Sequence, residues 1–349
     1  MRTEHQDYIR SLYRQMKDAQ ETRLADSGRV GLKANGKPMA NALTARVYTE
    51  EHKATLLGLR AESSRREKQV AKLLKEALEQ EPIYQWLLGV GNIAERVAGA
   101  IVGEIDIAEA DTASALWQYA GMNSAPVFGR KLIPQARYKP CMGEIKKEMP
   151  MRDGKLGYVV LTSRQIRGDK KVKGFLCPYN PALKMALLGN LGDLFINGRN
   201  AYTQYYYSRH IPAKYQTDPE AMAARPELAG RYGMLDVSEK LVQERRRKKP
   251  AAAAADGLDE LEAEKETEAV MVMWKDASVD HRHRAAIRYM MKMFLKDLYV
   301  AWRTLAGLPV REPYSEGKLG HVHHGQGPAV APPVAAPLPR KRRRAAVAA

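Results

Sequence analysis

Cysteine is nearly absent from this 349-residue chain, which carries only Cys141 and Cys177. Two thiols so far apart fit neither a disulfide framework nor a four-cysteine zinc site, so both are expected to be reduced. Long hydrophobic runs are missing as well. No stretch approaches the roughly 20 consecutive apolar residues that span a bilayer. The opening Met1-Arg2-Thr3-Glu4-His5-Gln6-Asp7 lacks the apolar core of a secretory signal, and the expectation is a cytoplasmic chain with no membrane partner. Acidic residues are in short supply: 40 Asp and Glu face 57 Lys and Arg, a formal charge of +17. Such a surplus attracts polyanions, and nucleic acid is the first partner to expect. Core-forming material is not lacking. Hydrophobic residues make up 45% of the chain and charged residues 28%, ordinary values that exclude wholesale disorder. The length suits two or three small domains of roughly 100 to 200 residues each.

Periodicity predicts a mainly α architecture. Residues 5–24 place Ile9, Leu12, Tyr13 and Met16 on one helical stripe. A long charged helix follows from about Tyr48 to Gln80, with Leu56, Leu59, Val70, Leu73 and Ala77 close to a heptad pattern interrupted at Ser63-Ser64-Arg65-Arg66. Residues 1–80 therefore read as a helical or coiled-coil region suited to homo-oligomerisation, or as a helix folded against the next domain. Residues 81–210 read as a second domain with a loop insertion at 123–178, where Gly157-Tyr158-Val159-Val160-Leu161-Thr162 suggests a short β-hairpin. The segment 211–280 reads as a charged linker, since Arg245-Arg246-Arg247-Lys248-Lys249 runs into alanines and an acidic patch from Asp256 to Glu268. Residues 281–308 form a closing helix, and 309–349 a disordered basic tail ending in Arg340-Lys341-Arg342-Arg343-Arg344.

The most informative stretch is Trp86-Leu87-Leu88-Gly89-Val90-Gly91-Asn92-Ile93-Ala94, followed by Ala98, Ile101, Val102 and Ile105 at helical spacing. An apolar helix runs into Gly-Val-Gly and then into a second apolar helix. The glycines permit positive φ and let a ligand approach the backbone, and Val90 is expected to plug the turn into the core. Main-chain N–H groups at the second helix start then suit an anion. A DNA phosphate fits without any base being read. The plain alternative is a tight turn with no ligand; the flanking apolar helices and the +17 charge favour DNA contact at Gly89, Val90, Gly91 and Asn92.

Read in order, several blocks resemble the C-terminal transposase domain of the insertion sequence 110/116/902 family. They are Leu88-Gly89-Val90-Gly91 with Gly103-Glu104-Ile105, then Ala115-Leu116-Trp117-Gln118-Tyr119-Ala120-Gly121-Met122, Lys173-Gly174, and Leu183-Lys184-Met185-Ala186-Leu187-Leu188-Gly189. Ala201-Tyr202 to Tyr206 follows, and Arg282-His283-Arg284-Ala285-Ala286 with Met293-Phe294-Leu295 and Leu298-Tyr299 closes the series. The resemblance covers about residues 81–308. It implies a helix-hairpin-helix protein acting in DNA transposition and site-specific recombination, with Lys173, Lys184, Arg282 and Arg284 added to the DNA-binding set.

Family members also carry an N-terminal ribonuclease-H-like domain with four acidic metal ligands, and a serine in the loop after the Tyr-x-Gly-Leu block. The acidic domain has no counterpart in residues 1–80, where periodicity is helical. Ser124 stands nearest the expected serine, and Ser163 is second, with Arg130, Lys131, Arg164 and Arg167 available to stabilise phosphoryl charge. No cofactor is identified. A divalent metal enters only if a partner protein supplies the missing acidic domain, and a guide RNA is a further partner left open. Two readings stand: a transposase-family recombinase, or a non-catalytic DNA- or RNA-binding module derived from one. His281, His283, His321, His323 and His324 lack the helical i, i+4 pairing of a zinc site. The tyrosines at 202, 205, 206 and 207 divide between the core and stacking on bases.

Overall fold

The structure is a computed structural model that describes residues 3–29, 31–32, 49–151, 154–198, 200–210, 241–247 and 267–311. Residues 33–48, the acidic patch from Asp256 to Glu266, the histidines beyond 320 and the basic tail lie outside the described residues. The fold is mainly α, as its periodicity predicts. Two long helices, α1 (Glu4–Arg29) and α2 (Glu50–Leu78), pack against each other. Two short ones, α3 (Pro82–Val90) and α4 (Glu95–Glu104), form the hairpin, and α5 (Ala113–Tyr119) follows behind a Thr112 cap. After a sheet come α6 (Pro181–Lys184), a wider turn over Met185–Leu191, and α7 (Gly192–Asn197). The wider turn closes i→i+5 bonds, which keeps Leu183, Leu187, Leu191 and Phe195 buried although they repeat every four residues. The short α8 (Thr203–Tyr207) and the closing helix α9 (Val279–Leu305) complete the set.

The apolar stripe of α1 foreseen at Ile9, Leu12, Tyr13 and Met16 is buried, and it meets α2 within one continuous core. On α2 the buried residues are Val70, Leu74, Ala77 and Leu78, whereas Leu59 is 48% exposed and Leu73 38%. The heptad-like seam is thus rotated, and its inner face is covered by α1 of the same chain. Arg23 pairs with Glu67 at 2.6 Å, and the Arg60 Nε donates to the Ser27 hydroxyl at 2.8 Å, locking the far end of the pair. Residues from α1 and α2 share their core with α3–α5 and α9, so no separate core ends at residue 80.

Helix α9 is the hub. It buries Met290, Met291, Phe294, Leu298, Tyr299 and Trp302. The buried Arg303 donates to the carbonyls of Ile107, Ala110 and Pro309, tying down both the chain after α4 and the exit from α9. The four tyrosines are all buried, which removes the base-stacking role considered for half of them. Tyr202 stacks on Phe195 with ring centroids 5.6 Å apart.

The insertion at 123–178 is more than a hairpin. Strands β1 (Pro126–Pro134), β2 (Glu144–Pro150) and β3 (Leu156–Arg167) form an antiparallel sheet in the order β1-β3-β2, with Lys131 and Ile145 both opposite Val160. Only β3 alternates clearly in apolar character, which is why it alone was legible. None of its residues joins the main core, so the sheet stands beside the helical body. In the segment expected as a charged linker, β4 (Leu241–Arg247) pairs antiparallel with β5 (Thr267–Met273), Val242 opposite Val272. The basic run at 245–247 therefore lies in a strand, and the buried Glu244 accepts a hydrogen bond from the Ser278 amide that opens α9.

Candidate nucleic-acid interface

The hairpin turn is built by two consecutive residues in the left-handed region, Gly91 at φ 81° and Asn92 at φ 60°. Glycine adopts this conformation without steric cost, and asparagine is among the side chains that tolerate it best. Gly89, by contrast, lies inside α3 with open space around it, so it is not needed for the turn. Val90 is half-buried and packs against the core as expected, and Ile93 beside it is the fully buried residue of the turn. The Asn200 amide donates to the carbonyls of Val90 at 2.8 Å and Gly91 at 3.2 Å, clamping the turn from below. Sequence reading missed Asn200, whose only local signal is an Asx turn onto Tyr202.

Helix α4 begins after Ala94 in extended backbone, and no side chain caps it. A helix start leaves main-chain N–H groups without intrahelical acceptors and carries partial positive charge. Asn92 and Ala94 are exposed there, and Leu88 beside them is 45% exposed. The one acidic group in the first turn is Glu95, half-exposed. The arrangement can accept one anionic oxygen cluster on its backbone and reads no base.

The far end of α4 holds a buried carboxylate. Glu104 is 1% exposed and accepts hydrogen bonds from Arg10 at 3.0 Å, Arg14 at 3.2 Å and the Asn180 amide at 2.8 Å. Its carbonyl accepts from the Tyr119 hydroxyl at 2.8 Å, and Asn180 also donates to that hydroxyl. Burial by itself would raise the Glu104 carboxyl, but the hydrogen bonds from Arg10 and Asn180 and the charges of Arg10 and Arg14 outweigh it. The group is held below the usual carboxylate range. Its neighbour Gly103 makes the contact possible, because a Cβ there would lie 2.8 Å from the Arg10 Cα. Above Glu104 opens a cleft of ≈ 610 Å³ whose cations are Arg10, Arg14, Lys17 and Arg130. Asn180 caps the start of α6, with Pro181 at its first position; the reach of Asn180 to Glu104 has no signal in the sequence.

A second buried carboxylate organises the other basic residues. Asp169 accepts from the Nε and Nη2 of Arg167, each at 3.0 Å, and from Arg288 at 3.3 Å. Lys184 donates to its carbonyl at 2.6 Å and lies 4.1 Å above the Tyr179 ring. Burial pushes the Lys184 ammonium below its usual value. Lys184 is therefore held inside a local network, while Lys173 is exposed on the loop before α6. Arg284 is exposed and pairs with Asp280 at 2.8 Å, and Arg282 is half-buried. His283 meets the Tyr206 hydroxyl at 2.7 Å across α8 and α9.

Ser124 is exposed in the loop between α5 and β1, and Ser163 is exposed on β3 where the register with β1 slips. Of the cations expected to serve them, Arg167 is bound to Asp169, and Arg164 and Lys131 lie over the Phe175 ring. Among the described residues, no group of three or more His, Cys, Asp or Glu side chains converges to hold a metal ion. No helix there is long and apolar enough to cross a membrane. Comparison with protein-family models, curated proteins and solved structures finds no match. The functional reading rests on the geometry and on the blocks of sequence described above.

Replacing Glu104 with glutamine leaves Arg10 and Arg14 without their counter-charge. Stability by urea unfolding should fall by about 3 kcal/mol at neutral pH, the lower end for a broken buried ion pair because Arg14 reaches solvent. A carboxyl held low in the folded state stabilises above its unfolded value and loses that contribution as pH falls through the folded value. The gap between wild type and Glu104→Gln should therefore narrow below pH about 4.5, the ordinary glutamate value. A gap that stays constant down to pH ~3, below the usual carboxylate range, contradicts this account of Glu104.

Proposed function

We propose that this protein binds the sugar-phosphate backbone of duplex DNA through the α3–α4 turn, and that it descends from transposases of the insertion sequence 110/116/902 family. One observation carries the binding reading: α4 starts uncapped behind a turn whose Gly91 and Asn92 both take positive φ. Main-chain donors at such a start contact phosphate without reading sequence. The formal charge of +17 adds a diffuse, salt-sensitive attraction. Descent is supported by the order of the blocks, and residues from most of them, Ile105 to Tyr299, pack into one core.

Between the two readings, the non-catalytic binding module is favoured. Arg164 and Arg167, which would have to face a reacting phosphoryl group, are engaged with Phe175 and Asp169. In this reading Ser124 and Ser163 are loop and strand hydroxyls. A nicked duplex incubated with the full chain should yield no covalent protein–DNA adduct. An adduct that disappears with Ser124→Ala or Ser163→Ala would restore the recombinase reading.

The backbone contact is tested at Glu95, the first residue of α4. Proline is well tolerated there, and Ala94 before it already has the extended backbone that proline demands. Glu95→Pro removes one N–H donor together with the carboxylate; Glu95→Ala removes the carboxylate alone. Fluorescence anisotropy with a duplex oligonucleotide should show Glu95→Ala binding at least as tightly as wild type. Glu95→Pro should bind about tenfold or more weaker than Glu95→Ala, the scale of one charge-assisted hydrogen bond of about 1.5 to 3 kcal/mol. Equal affinities of the two folded variants would overturn the hairpin assignment.

A further inference from the structure

Among the described residues, cations outnumber carboxylates around Asp169. Arg167, Arg288 and Lys184 converge on that one residue. Next to them stand Arg209 and Lys292, and among the described residues neither forms an ion pair with a carboxylate, although Asp169 lies close enough to act on Lys292. Arg209 lies 3.5 Å above the Tyr289 ring, and Lys292 lies 5.3 Å from the Trp117 ring centre while its own carbonyl accepts from the Trp117 indole. Burial and the neighbouring Arg288 and Arg209 push the Lys292 ammonium down. The Nε atoms of Arg209 and Arg288 are both buried and have no acceptor among the described residues. Unpaired buried donors and crowded like charges cost free energy unless an anion answers them.

On α9 these residues belong to a row. Arg284, Arg288, Lys292 and Lys296 follow one another at four-residue steps, each step rising ~6 Å along the axis. Such residues share one helix face. Arg284 is exposed and the other three are half-buried. A row of cations suits a polyanion, which offers phosphates in series, better than a single small anion.

We propose that Arg209, Arg288 and Lys292 form a phosphate-binding seat, occupied by a backbone phosphate of a nucleic-acid strand that runs along the basic row of α9. The strand is the same ligand as in the DNA-binding reading above and rests on that reading. The seat is distinct from the hairpin, because it uses side-chain charge where the hairpin uses main-chain donors. Aromatic faces under Arg209 and Lys292 hold the two cations in place without neutralising them.

The test uses the full chain carrying Arg209→Gln and Lys292→Gln together, beside a charge-preserving Arg209→Lys and Lys292→Arg pair. Without added anion, the neutralised variant should melt at or above the wild-type temperature, since repulsion has been relieved. A fall of several degrees would mark the cations as structural and overturn the proposal. Inorganic phosphate should raise the melting temperature of wild type and of the charge-preserving variant more than that of the neutralised one; equal shifts would overturn the seat. Duplex binding measured against salt separates the sources of phosphate. Each contact carries about 0.9 in the slope of log affinity against log salt, so neutralisation should flatten the slope by roughly 1 to 2. An unchanged slope, with phosphate still discriminating the variants, would overturn the nucleic-acid strand in favour of a free phosphate ligand. If wild type fails to bind duplex at all, the DNA-binding reading falls and the strand falls with it; the phosphate-dependent melting then decides the anion seat alone.

Discussion

The architecture depends on one buried carboxylate. Glu104 closes α4, receives Arg10 and Arg14 from α1 and Asn180 from the start of α6, and through its carbonyl holds Tyr119 at the end of α5. Four elements distant in sequence therefore meet on two oxygen-bearing groups of one residue. A buried charge of this kind is tolerable because each of its partners supplies a donor; removing any one exposes the cost of desolvation. The close crossing that brings Arg10 within reach requires the absent side chain at Gly103. Helix α4 is thereby fixed at its C-terminal end. Its N-terminal end is open to solvent at Asn92 and Ala94, with Ile93 as anchor and Asn200 as clamp beneath the turn.

Charge is used in two ways in the molecule. Glu104 and Asp169 are spent as internal clamps, each gathering guanidinium groups that would otherwise face solvent. Because acidic residues are scarce, the clamps do not exhaust the cations. Arg209 and Lys292 beside Asp169, and Arg130 at the cleft over Glu104, remain as positive potential. Potential placed next to a depression acts on a polyanion more strongly than the same charge spread evenly. The main-chain site at the hairpin adds a fixed partial charge that does not titrate.

Elements whose signal is local were legible in the sequence. The stripe Ile9, Leu12, Tyr13, Met16 and the closing helix with Met290, Phe294 and Leu298 follow helical spacing and are buried as that spacing predicts. The turn at Gly91 announced itself, although Gly89 was credited with a conformation it does not adopt. What escaped were features decided by tertiary partners. Leu73 and Leu74 are adjacent leucines, and only the position of α1 determines that Leu74 is the buried one. Strands β1 and β2 do not alternate visibly: the apolar residues of β1 come as adjacent pairs, Val127-Phe128 and Leu132-Ile133, and β2 is mostly charged, since their sheet adds nothing to the main core. Asn200, Asp169 and Arg209 are single polar residues whose roles arise from contacts over long sequence separations. A basic run at 245–247 reads as solvated linker until its pairing with β5 is known.

The central claim is that duplex DNA rests on the open end of α4. Amide hydrogen exchange of the full chain, followed with and without a duplex oligonucleotide, addresses it at the level of single main-chain groups. The account predicts slowed exchange at Ile93, Ala94 and Glu95 on adding DNA, since these N–H groups exchange solvent for phosphate oxygen. The buried end of α4 around Val102 should be unaffected. Slowed exchange confined to other segments, with residues 92–96 unchanged, would contradict it.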